Sequence, residues 1–178
     1  MTTPSARGAA RLHANLEKRL RTLIDDGYEL GAQVAVYLRG ELIADVAAGR
    51  VSSPAGRKVE PDTLFPVCST GKGILAALVH ILAERGLVGY DCPIARYWPE
   101  FAVNGKEGIT VRQGMAHLAG LQNDPGFASL DEICDFERAC ARVAQMTSGY
   151  PPGSQMQYHS RTFGWIVGGF ARRAGGRP

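Results

Sequence analysis

Ser69 and Lys72 stand three residues apart in Ser69-Thr70-Gly71-Lys72, the only Ser-x-x-Lys in the chain. Where such a pair opens a helix, the i and i+3 side chains are neighbours, so the lysine nitrogen reaches the serine hydroxyl. A serine hydroxyl is a weak nucleophile until a base takes its proton. A partly buried lysine surrenders its proton more readily, because burial penalises the charged form, and can serve as that base. The helix N-terminus adds N–H donors and a partial positive charge that favour developing anions. The same residues also fit an N-cap serine followed by a surface lysine, and so short a pattern arises by chance. Tyr158, in Gln157-Tyr158-His159-Ser160, follows the Pro151-Pro152-Gly153 turn and precedes a helical stretch. A tyrosine beside a lysine is drawn toward phenolate and can shuttle a proton between nucleophile and leaving group. By itself Tyr158 fits a half-buried packing residue equally well.

The elements that must position these residues follow from periodicity. Ala9 to about Asp26 carries Leu12, Leu16, Leu20, Leu23 and Ile24 at helical spacing. Ala32–Leu38 and Leu42–Ala47 are strand-like runs joined by Arg39-Gly40-Glu41, which predicts a hairpin. Residues 51–61, rich in Ser, Pro, Gly and charge, predict a surface loop, and the strand-like Thr63–Val67 leads into Ser69. A helix is expected from Thr70 to Arg85, stopped by Gly86. Cys92–Pro99 is turn-rich. A short helix from Thr110 to His117 has Thr110 as N-cap, and Gly114 weakens it by about 1 kcal/mol. Further helices are expected over Asp131–Met146 and from about Thr162 to Ala174, where Gly164 and Gly168 would admit a neighbouring backbone. One hairpin followed only by helices is an unfinished sheet, since two strands alone are marginal in water and leave edges open to pairing. The expectation is the front part of a larger α+β fold, read as one truncated domain. Its helix-and-hairpin part spans residues 9–67 and its mostly helical part residues 68–178.

Composition removes several function classes. With 178 residues, 45% hydrophobic and 21% charged, the chain has the make-up of a globular domain. Its net charge of +3 is spread from Arg7 to Arg173 without a dense run, so no nucleic-acid partner is expected. No apolar run approaches a membrane span and the opening residues carry no apolar h-region, so a cytoplasmic setting is expected. Cys68, Cys92, Cys134 and Cys140 show no CxxC spacing and are expected to be free thiols. Cys134 and Cys140 with His117 or His159 have no zinc-site spacing, so no metal or other cofactor is expected.

Several ordered stretches together resemble the β-lactamase-related serine hydrolases, which include class C β-lactamases, D-alanyl-D-alanine peptidases and family VIII carboxylesterases. They are Leu64-Phe65-Pro66-Val67-Cys68-Ser69-Thr70-Gly71-Lys72, the run from Leu82 to Phe101, Ile109-Thr110-Val111-Arg112-Gln113 through His117 to Gly120-Leu121, and Tyr158-His159-Ser160 with Phe163-Gly164-Trp165. The resemblance implies a β-lactamase/transpeptidase-like fold. It implies that Ser69 is the acylated nucleophile, Lys72 its proton acceptor and Tyr158 a second general base. Ser160 falls where the family's residue contacts the lysine or the substrate, the Ser69 N–H is one oxyanion donor, and His117 is expected to join helix end to loop. Members of the family run to about twice this length and add three strands, one carrying the third motif and the second oxyanion donor; that part is absent here. Gly114 and Ala116 depart from the family's bulkier residue and hydroxyl, which suggests relaxed constraint. The implied function is acyl transfer through a serine acyl-enzyme on a small ester or amide, esterase-like. The alternative is a catalytically incomplete fragment that folds or binds only with a partner, with self-association through the open sheet edge.

Overall fold

The computed structural model describes residues 5–53, 55–127 and 129–176. The chain divides into two compact units, Met1–Pro66 and Val67–Pro178.

The first unit is a helix on a hairpin. Helix α1 (Ala6–Asp25) begins where the Ser5 hydroxyl accepts the Gly8 N–H at 3.2 Å, filling one of the orphan donors of a helix start. Leu16, Leu20 and Ile24 recur every fourth residue, and this stripe packs on Ala32, Val34, Val46 and Ala48. Those four belong to β1 (Gly31–Leu38) and β2 (Glu41–Gly49), an antiparallel pair with Val34 opposite Val46. The turn is Arg39-Gly40, with φ of 54° and 85°. Two positive φ values give the turn whose twist matches paired strands, and the glycine takes one of them without strain. Strand β2 is longer than expected because alternation continues through Ala48. Thr63–Val67, strand-like by composition, forms no strand, so the lead into Ser69 is irregular.

The second unit holds the larger core. Helix α2 (Gly71–Glu84) is preceded by a 3-10 turn over Cys68–Thr70 and stopped at Gly86, whose φ is 71°. Helix α3 (Val111–Met115) starts at a reciprocal cap: the Thr110 hydroxyl accepts the Gln113 N–H while the Gln113 carboxamide accepts the Thr110 N–H. The single helix expected over Asp131–Met146 is two, α4 (Leu130–Cys134) and α5 (Phe136–Gln145). Asp135 separates them because its carboxylate caps the Arg138 N–H, holding its own backbone extended.

Helix α6 (Thr162–Gly175) runs through the centre, with Phe163, Ile166, Val167 and Phe170 packed among Val79, Leu82, Trp98, Val111 and Val143. Its glycines act differently from the sequence expectation. A Cβ on Gly164 would meet nothing, one on Gly168 would meet the Phe136 ring, and one on Gly169 would lie 2.8 Å from the Trp98 ring. Gly168 and Gly169 admit aromatic rings, not a backbone, and Gly164 faces open space. Gly114 is likewise tight, since a Cβ there would lie 3.0 Å from Ile94 Cδ1. Its glycine fits close packing and not relaxed constraint. The buried Lys106 ammonium donates to the carbonyls of Val103 and Met146, placing a cation at the carbonyl end of α5.

Candidate active site

Ser69 is the middle residue of the 3-10 turn, and Lys72 is the second residue of α2. Cys68, just before the serine, has φ of 45°. A non-glycine residue in this region costs about 1–3 kcal/mol, and such strain concentrates where a side chain must be aimed. Lys72 Nζ lies 3.0 Å from Ser69 Oγ, so the i, i+3 contact exists. The same nitrogen donates to the Ser160 carbonyl at 2.7 Å. It also stands over the Tyr158 ring at 4.9 Å and the Phe163 ring at 5.8 Å. Hydrogen bonding to Ser69, then to Lys72, together with the lysine charge, draws the Tyr158 phenol below its ordinary value. The Ser69–Lys72 hydrogen bond and the Tyr158 ring beneath Lys72 thus bring an attacking oxygen, an amine and a phenol into one neighbourhood where a proton can pass among them. Ser160 meets Lys72 through its main-chain carbonyl, a contact any residue type could supply.

Tyr158 and Ser160 are exposed, whereas His159 between them is fully buried. The turn is therefore anchored by His159 and presents its neighbours outward. Leu121 N–H donates to His159 Nε2 at 3.0 Å, which leaves the ring proton on Nδ1 to bond the Gln157 carbonyl at 2.6 Å. His117 holds the turn from the other side. Its carbonyl accepts the Gln157 N–H at 3.2 Å, and its Nδ1 accepts the His159 N–H at 3.1 Å. Its ring also lies against Tyr158, Phe163 and His159, with centroids 4.8, 5.0 and 5.5 Å away.

Both imidazoles are shifted below the usual histidine value, chiefly by burial. For His117 the nearby His159 and Lys72 charges add to the effect; for His159 the Gln157 carbonyl opposes it. The stretch from His117 to Leu121 also accepts from Gly153 N–H, Gly149 N–H, the Ser148 hydroxyl and the Thr162 hydroxyl. Gly120, at φ 73°, passes so near the Tyr150 carbonyl that a Cβ would lie 2.9 Å from it. His159 carried no signal in the sequence beyond its place beside Tyr158. Its anchoring role comes from burial, which one sequence does not display.

All four cysteines are unpaired. Among the described residues no group of three or more His, Cys, Asp or Glu could hold a metal ion, and no helix is long and apolar enough to cross a membrane.

Comparison with known proteins places this cluster in context. The Beta-lactamase family profile matches residues 16–178. The esterase/beta-lactamase LipL of Mycobacterium tuberculosis is 38% identical over 150 residues, covering 83% of this chain and 34% of LipL. The esterase EstB of Burkholderia gladioli is 29% identical, covering 96% of this chain and 46% of EstB. A family VIII carboxylesterase superposes with a TM-score of 0.86 at 34% identity, covering 92% of this chain and 44% of that structure. A penicillin-binding protein homologue from Caulobacter crescentus does so at 0.83 and 34%, covering 99% and 46%. The chain thus spans between a third and a half of the length of these relatives, and it belongs to the Beta-lactamase family.

Proposed function

We propose that this chain carries the nucleophile and its proton-transfer partners for a serine hydrolase that forms an acyl-enzyme on a small ester or amide, with an esterase-like preference. The supporting observation is that Lys72 Nζ lies 3.0 Å from Ser69 Oγ and 4.9 Å from the centre of the Tyr158 ring, so nucleophile, amine and phenol stand together. The esterases among its relatives favour an ester over an amide.

In this reading Ser69 Oγ attacks the carbonyl carbon as its proton passes to the Lys72–Tyr158 pair, and the Ser69 N–H faces the developing oxyanion. The proton then goes to the departing alkoxide, leaving an ester on Ser69. Water, or another alcohol, gives up a proton along the same route and releases the acid or a new ester. Incubation with a fluorophosphonate probe followed by mass spectrometry tests the reading. An adduct on Ser69 that disappears in Ser69→Ala supports it, and a folded sample without adduct overturns it for this chain.

A second reading is a catalytically incomplete chain that associates with another copy, and it is favoured by one face of α2. Ile74, Leu78 and Ile81, one turn apart, are 71%, 46% and 44% exposed, an apolar stripe of the kind that marks contact surfaces. Analytical ultracentrifugation decides: a dimer lost in Leu78→Lys supports association, and a monomer at all concentrations rules it out.

A further inference from the structure

From the paired imidazoles we infer that His117 is a positioning residue for Tyr158, holding the turn 157–159 only while its ring is neutral, so that one proton releases the phenol from the Ser69–Lys72 cluster. As far as it concerns catalysis, the inference rests on the acyl-enzyme reading above; the clamp itself is a property of the fold.

Two consecutive contacts tie His117 to the two residues flanking Tyr158. The Gln157 N–H bonds its carbonyl and the His159 N–H bonds its Nδ1. The second contact is the proton-sensitive one. Nδ1 accepts through its lone pair, and a proton placed there turns the acceptor into a donor pointed at another donor. The His117 ring also lies against the Tyr158 ring, so a shift of one carries to the other. The titratable and charged groups facing His117 are Lys72 from α2, and Tyr158 and His159 from the turn. No carboxylate is among these groups, and the Lys72 charge, like any charge on His159, opposes a proton on His117. His159 repeats the device one layer deeper, since its Nε2 accepts the Leu121 N–H and would lose that bond on protonation. The His117 backbone, at φ 60°, lies in the left-handed region that asparagine and glycine tolerate well. This makes two informative replacements available. His117→Asn places an amide oxygen where Nδ1 stands and cannot titrate. His117→Gly keeps the backbone shape and removes the acceptor.

The experiment follows amide hydrogen exchange at His159 and Leu121 between about pH 5 and pH 8 in the full chain, with ring titrations read by NMR. In the unsubstituted protein, protection of the His159 amide should fall up to about tenfold as the His117 ring takes its proton, the worth of one net hydrogen bond. His117→Asn should keep that protection through the same pH range. His117→Gly should lack it at every pH while the Leu121 amide stays protected at pH 8, where His159 is neutral, showing that the fold persists. A His159 amide whose protection is level while His117 titrates overturns the inference, as does the same acid loss in His117→Asn.

A second readout ties the clamp to chemistry. The rate of fluorophosphonate labelling at Ser69 should drop on acidification in parallel with amide protection. It should be low in His117→Gly, and His117→Asn should recover most of that loss without the acid drop. Equal rates and equal pH profiles in all three proteins overturn the positioning role. Labelling absent from the unsubstituted protein at every pH overturns the acyl-enzyme reading instead, and amide exchange then decides the clamp alone.

Discussion

Ser69 and Lys72 meet across one helical turn, whereas Lys72 and Ser160 meet across 88 residues of chain. The first contact asks only that a helix begin at the right residue. It is exposed, its helix start has no side-chain cap, and the residue before it sits at a strained φ. The second contact asks that a turn be held in place, and the structure answers with a buried histidine, a half-buried one, and a stretch from His117 to Leu121 that bonds both the turn and the segments on either side of it. The difference separates two kinds of site residue. The nucleophile side can be changed with little cost to the fold, while the tyrosine side is built into the core and fails through its supports.

The largest expected effect lies on the first side. Ser69→Ala should remove covalent labelling altogether, with the unfolding midpoint unchanged within error, because an exposed serine contributes little to folding. Tyr158→Phe comes next. It should slow labelling by about 10²–10⁴-fold, the range for a lost acid–base group, again with little change in stability. If Tyr158→Phe instead unfolds the chain, the contrast between reactive and supporting residues breaks.

His159→Leu should behave oppositely. It strands the Leu121 N–H in the core and should cost about 1–3 kcal/mol in denaturant unfolding, with labelling lost as a consequence. His159→Gln, which can return an acceptor near Nε2, should recover part of both. Stability should also depend on pH in a defined direction. His117 and His159 are held below the ordinary value of 6.5, so the unfolded chain binds protons more readily. Their contribution is complete above that value and declines as pH falls from it toward their folded values. Stability measured from pH 8 to pH 5 should therefore drop, and less steeply in His117→Asn. The smallest effect belongs to a cap. Thr110→Ala removes one half of the reciprocal cap on α3 and should cost about 1 kcal/mol, without changing the pH dependence of labelling.

Much of the fold was legible because local signals were strong and mutually consistent. Leu16, Leu20 and Ile24 mark the buried stripe of α1. Alternation marks the strands, Thr110 and Gly86 mark helix ends, and the two-strand sheet followed by helices defines the α+β class. Misreadings arose where a local choice had an equal competitor. Asp135 suits a helix interior poorly and an N-cap well, so one expected helix became two. Thr63–Val67 has strand composition, but strand formation needs a neighbouring strand to bond with, which composition does not supply.

The sequence by itself determined the Ser69–Lys72 contact, because i and i+3 on a helix are close whatever surrounds them. It also marked Tyr158 as a candidate through its place in an ordered set of motifs. Only the tertiary structure decided that Tyr158 stands beside Lys72, that Ser160 contributes its carbonyl, and that His117 and His159 hold the turn as neutral acceptors. These depend on which groups are buried and which lone pairs face which donors. Such facts arise when segments far apart in sequence are packed together, and no local pattern encodes them.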